Sequence, residues 1–121
     1  MHQFKELKVW QKEREFVKDI YLTTRNFPKD ELFGIISQMR RSAVSIPTNI
    51  AEGCGRNTDA DLNRFFDIAN GSAFELETLV ILSFDLDYLS QEEFNRFDKK
   101  LNEIQRMIFG FKNSLKLNIK P

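Results

Sequence analysis

Residues 94–115 read Phe94-Asn95-Arg96-Phe97-Asp98-Lys99-Lys100-Leu101-Asn102-Glu103-Ile104-Gln105-Arg106-Met107-Ile108-Phe109-Gly110-Phe111-Lys112-Asn113-Ser114-Leu115. Within this stretch Phe94, Phe97, Leu101, Ile104, Ile108, Phe111 and Leu115 recur at gaps of 3, 4, 3, 4, 3 and 4. That spacing lines one face of a helix, whereas a half-buried strand would alternate with period two. Just upstream, Ser90 followed by Glu93 is a capping box, the pattern that satisfies the free amides at a helix start.

A helix with one apolar face needs partners, and the remaining sequence supplies three. The first segment runs from about Leu7 to Thr24, with Leu7, Trp10, Val17 and Tyr21 on one side and Val9, Phe16 and Ile20 widening it. Pro28 ends that segment, because proline cannot continue a helix and restricts the residue before it. Leu32, Ile36, Met39, Ala43, Ile46 and Ile50 form the second seam, behind Asp30 and Glu31 at its positive dipole end. Pro47 inside this run predicts a kink, with division into two helices the competing outcome. Gly53 and Gly55 are expected to end it in left-handed cap geometry. Thr58 with Asp61 opens a third segment reaching about Asp87, apolar at Leu62, Phe65, Phe66, Ala69, Ala73, Leu76, Leu79, Val80 and Ser83. The reading is all-α: an antiparallel up-down-up-down four-helix bundle occupying residues 1–121 as one domain.

Composition narrows function mainly by exclusion. One His and one Cys cannot assemble a zinc site, and one Cys cannot form an internal disulfide. No Glu-x-x-His pair is available for a di-iron bundle, and Gly53-Cys54-Gly55-Arg56 lacks the ending of a phosphate loop. Glu52 and Glu75 would be the carboxylates for an undetected enzyme or metal site, but no motif singles them out. No catalytic residue, metal or cofactor is therefore expected. The longest apolar run, Leu79 to Leu82, is far shorter than the roughly 20 residues a membrane helix needs, and a cytoplasmic protein is expected.

Charge is balanced in total, 18 Lys+Arg against 18 Asp+Glu, but not along the chain. Residues 1–58 carry +3, residues 59–93 carry −8 and residues 94–121 carry +5. The acidic third helix and basic fourth either attract as neighbours or face outward on an assembly. In the second case Arg40, Arg41, Arg56, Lys99, Lys100, Arg106, Lys112, Lys116 and Lys120 are candidates for phosphate contacts.

Two further stripes lie off the core faces. Gln38, Arg41, Ser45, Asn49 and Glu52 share one flank of the second helix, and short uncharged groups there suit either a wet flank or a packed polar interface. Phe74, Ile81 and Tyr88 repeat every seven residues opposite the third helix's main apolar arc, beside the small Gly71 and Ser72. They read either as one residue covering a loop with the others isolated surface apolars, or as a second seam that marks a subunit interface. Gln38, Ser45, Asn49, Glu52, Phe74, Ile81 and Tyr88 are the interface candidates of a homo-oligomer.

Several strings carry a resemblance. They are Leu7-Lys8-Val9-Trp10-Gln11-Lys12, Phe27-Pro28, the run from Gln38 to Gly53 containing Ser45-Ile46-Pro47-Thr48-Asn49-Ile50-Ala51-Glu52-Gly53, and Phe65 to Glu77. Together, from about Phe4 to Phe111, the chain resembles the four-helix-bundle proteins encoded in 23S rRNA intervening sequences. The resemblance implies a small bacterial cytoplasmic protein, and similar proteins assemble as ring-like homopentamers. A related branch is the basic accessory protein of diversity-generating retroelements, from which this chain departs in being neutral overall. The partners so implied are further copies of itself and structured RNA or an RNA–protein complex. The alternative is a protein–protein assembly module with no nucleic-acid role.

Overall fold

Thr58 and Ser90 start two long helices in the way their side chains allow. Thr58 Oγ1 accepts from the Asp61 amide at 3.1 Å. Ser90 and Glu93 close a reciprocal box, the Glu93 amide donating to Ser90 Oγ at 3.1 Å and the Ser90 amide to Glu93 Oε1 at 2.9 Å. In the computed structural model, which describes residues 2–119 and the side chains of residues 2–115, the elements are α1 (Lys8–Thr24), α2 (Ser37–Cys54), α3 (Asp59–Asp85) and α4 (Gln91–Ile119). Short 3₁₀ turns at Phe4–Glu6 and Lys29–Glu31 precede α1 and α2. The described residues contain no strand, and none of their helices is long and apolar enough to cross a membrane.

The seam of α4 packs as its spacing predicts: Phe97, Leu101, Ile104, Ile108 and Leu115 are buried, with Phe94 and Phe111 at its margin. They join Phe16 and Ile20 of α1, Met39, Ile46 and Ile50 of α2, and Phe66, Ala73 and Leu76 of α3 in one core. Edge-on aromatic contact between Phe16 and Phe97 at 5.5 Å, and stacking of Phe66 on Phe111 at 4.6 Å, tie α4 to both neighbours.

Three sequence expectations are corrected. First, the second segment is not one continuous helix from Leu32. A five-residue π-type turn occupies Leu32–Ile36, interrupted at Gly34 (φ −109°, ψ −116°), and Leu32 is exposed. By contrast, α2 runs on through Pro47 without dividing, because Ile46 and Ile50 are fully buried on either side of it. Second, neither glycine caps α2 in left-handed geometry. Gly53 lies within the helix and Gly55 follows it at φ −86°. A Cβ on Gly53 would sit 3.0 Å from Phe65 Cβ and 3.2 Å from the Leu62 carbonyl oxygen. Gly53 is therefore a close-approach residue, letting α2 meet the start of α3. Third, the left-handed cap belongs to α3, where Asp87 has φ 64°. The Tyr88 amide reaches the Ser83 carbonyl at 2.8 Å and the Asp87 amide reaches Phe84 at 3.0 Å, a Schellman pair of bonds. Asparagine and aspartate tolerate this conformation better than other residues bearing a Cβ.

The centre of the α1 face also differs from its expected position. Val9, Glu13, Phe16 and Ile20 are its buried stripe, at gaps of 4, 3 and 4, while Tyr21 is exposed. Because α1 packs against both α2 and α4, the line between them decides which residues are deepest. Glu13 falls on that line. Its carboxyl is fully buried, neither oxygen has a hydrogen-bond partner among the described residues, and burial pushes its pKa from 4.5 up to about 8.

A carboxyl with a raised folded-state pKa contributes its full stability below the unfolded value and loses it as pH rises through the folded one. Stability should therefore decline between pH 4.5 and about 8, by at most roughly 5 kcal/mol. Urea unfolding across that range should show the decline, and Glu13→Gln should flatten it. On the same assay Gly53→Ala should lower stability by about 1–3 kcal/mol through overpacking. Gly71→Ala, where a new methyl meets nothing within 4 Å, should raise it by about 0.5–1 kcal/mol through helix propensity.

Candidate functional site

The basic residues of α4 divide between two edges and an outer face. On the α1 edge Arg96 grips Asp19 with two hydrogen bonds of 3.0 Å, Nε to Oδ2 and Nη2 to Oδ1. Lys100 adds a third at 3.2 Å, and Arg96 also donates to Thr23 Oγ1. Partial burial works against the Asp19 carboxylate, but Arg96 and Lys100 outweigh it and hold its pKa below the usual value. Lys12 and Glu103 pair at 3.2 Å further along the same edge. On the α3 edge Lys112 pairs with Asp67, and Gln105 donates to Glu77 at 3.1 Å.

The candidate cations of α2 and its C-terminal link are similarly occupied. Arg40 stacks on Tyr21 at 4.6 Å, donates to Thr24 Oγ1 at 3.0 Å and reaches the Tyr21 carbonyl, a favourable place for a cation at the end of α1. Arg41 pairs with Glu75 at 3.6 Å. Arg56 pairs with Glu52 at 3.7 Å and lies over the Phe65 ring at 4.5 Å. These last two pairs are exposed and contribute little to stability. Of the described candidates, Lys99 and Arg106 make no hydrogen bond or ion pair within the described chain, and both are exposed on the outer face of α4. Lys116 and Lys120 lie outside the residues whose side chains are described.

The polar stripe of α2 is only partly brought together. Ser45 Oγ lies 2.8 Å from Ser72 Oγ of α3, and Asn49 Nδ2 donates to the Ser45 carbonyl and hydroxyl at 2.8 and 3.0 Å. This half-buried network joins α2 to α3 within one chain, while Gln38 and Glu52 remain exposed outside it.

The apolar candidates on α3 separate as well. Phe74 and Ile81 are exposed by 53% and 45%, and Ile68 and Leu82 are exposed elsewhere around the same helix. Tyr88 does not belong to this face, because α3 ends at Asp85 and the Schellman turn redirects the chain. Its ring packs against Phe27 at 5.4 Å and its hydroxyl donates to Glu31 at 2.8 Å.

Exposed apolar residues such as Phe33, Leu86 and Phe109 escaped the sequence reading, and Phe109 is the one that lies on α4. Phe109 of α4 is 64% exposed. It follows the buried Ile108, so the apolar seam absorbs its neighbours and hides it. A legible signal exists nonetheless: Lys99, Asn102, Arg106, Phe109 and Asn113 are spaced by 3, 4, 3 and 4, a stripe of cations and amides interrupted by one aromatic.

A four-helix all-α protein with segregated surface charge and exposed apolar positions on α3 is thus defined. The chain belongs to the 23S rRNA-intervening sequence protein family, whose model matches residues 5–110. It is similar to a solved structure of a protein of unknown function from the S23 ribosomal protein family of Bacteroides thetaiotaomicron VPI-5482. The two share 26% identity over 86% of this chain and 97% of that one, with a TM-score of 0.78. No curated protein matches the chain.

Proposed function

We propose that this is a non-enzymatic, homo-oligomeric cytoplasmic protein whose fourth helix contacts structured RNA or an RNA–protein complex. The observation that carries the RNA reading is the state of the α4 cations. Lys100, Arg96 and Lys112 are spent on carboxylates of neighbouring helices, whereas Lys99 and Arg106 face outward without an acidic partner among the described residues. Membership of a family described by its 23S rRNA intervening sequences adds support. In this reading the helices form an antiparallel up-down-up-down bundle. Successive contacts between α3 and α4 run in opposing order, Asp67 with Lys112, Glu77 with Gln105 and Phe84 with Phe94.

Self-association, as a pentamer, draws on the exposed Phe74 and Ile81. An assembly module for protein partners alone is the second reading, favoured by the same apolar residues on an acidic helix. Nuclease treatment before affinity capture separates the two, because protein partners retained after RNA removal support only the second.

Binding to a structured RNA should fall steeply with salt, as counterion release requires. The double variant Lys99→Ala/Arg106→Ala should lower the slope of log affinity against log salt by about 2. Absence of binding at low salt would overturn the RNA reading. Light scattering should give an oligomeric mass for the wild type, and Ile81→Glu should dissociate it, since burying an unpaired carboxylate costs on the order of several kcal/mol. A monomeric wild type removes the assembly reading, and a variant of unchanged mass removes Ile81 from the interface.

A further inference from the structure

We propose that the outer face of α4 around Phe109 binds an unpaired nucleobase in a single-stranded segment of RNA, stacked on the Phe109 ring, with phosphates of the same strand held by Lys99 and Arg106. The inference rests on the RNA reading above and specifies which form of RNA the helix takes. Asp98, Lys99, Asn102, Gln105, Arg106 and Phe109 line this open face, all of them on α4.

Each lining group has a defined state. Phe109 presents most of its ring to solvent, although Ile108 beside it is fully buried. Arg106 precedes Phe109 by three residues and Lys99 by ten, so both lie on its side of the helix, within about 15 Å at 1.5 Å per residue. Neither cation is engaged by an acid among the described residues, so neither must break an ion pair to meet phosphate. Gln105 is committed to Glu77 at 3.1 Å, and Asn102 leans on Asp98 at 3.4 Å.

An exposed aromatic face on a stripe that also carries two unpaired cations is the combination that takes unstacked bases of single strands. A duplex keeps its bases within the stack and cannot offer one to Phe109.

The experiment measures fluorescence anisotropy of labelled oligoadenylate and of a blunt RNA duplex, across salt, with light scattering of each variant. Phe109→Ala should weaken oligoadenylate binding about tenfold while leaving duplex binding and the salt slope unchanged. Phe109→Trp should preserve binding, Phe109→Leu should weaken it like alanine, and Arg106→Ala should lower the salt slope by about 1. Wild type that binds oligoadenylate no better than Phe109→Ala overturns this inference and leaves the RNA reading standing. Wild type that binds neither probe overturns both. Full binding by Phe109→Leu, or a changed oligomeric mass in Phe109→Ala, also overturns it, the latter by assigning Phe109 to a contact between copies of the chain.

Discussion

The contact between the end of α2 and the start of α3 is the constraint on which the remaining packing depends. At Gly53 the two helices come so close that one methyl group would press on both Phe65 Cβ and the Leu62 carbonyl oxygen. The link between these helices is only four residues long, from Gly55 to Thr58. A short link and a missing side chain together set the separation at this end. Further along the same pair, Ser45 and Ser72 meet through their hydroxyls at 2.8 Å. The large side chains of α1 and α4 then close over the surface that α2 and α3 present, which is why Phe16, Phe66 and Phe97 can all be fully buried.

Attachment of α1 has a different character. It is held to α4 by the Phe16–Phe97 contact and by a charged clamp in which Arg96 and Lys100 converge on Asp19. The clamp lies at the edge of the core and is satisfied. Glu13, at the centre of the same helix face, has no partner among the described residues. The same element therefore carries a carboxylate stabilised by its surroundings and a carboxyl driven toward its neutral form by them. What separates the two is access to a guanidinium, not depth alone.

Surface charge follows from this packing. Neutrality in total, and even the acidic-then-basic order of α3 and α4, do not reveal which cations are compensated. Lys112 reaches across to Asp67, whereas Lys100 turns to α1 rather than to the acidic helix. On α4 the described cations left without an acidic partner, Lys99 and Arg106, share a stripe with Phe109, and that conjunction, not the basic sum of α4, gives its outer face its chemistry.

The sequence by itself determined the helical class, the four segments, the two capped starts at Thr58 and Ser90, and the α4 seam. All of these are set by spacing and by local hydrogen bonds within a few residues. The tertiary structure alone decided that Gly53 packs rather than caps, that the second segment breaks at Gly34 before α2 and does not divide at Pro47, and that Tyr88 leaves the α3 face. It likewise decided that Glu13 lies in the core and that Lys99 and Arg106 lack acidic partners among the described residues. Each of these depends on what stands opposite a residue on another helix. Periodicity assigns a side chain to a face, but it holds no record of the neighbouring helix's distance, register or charge.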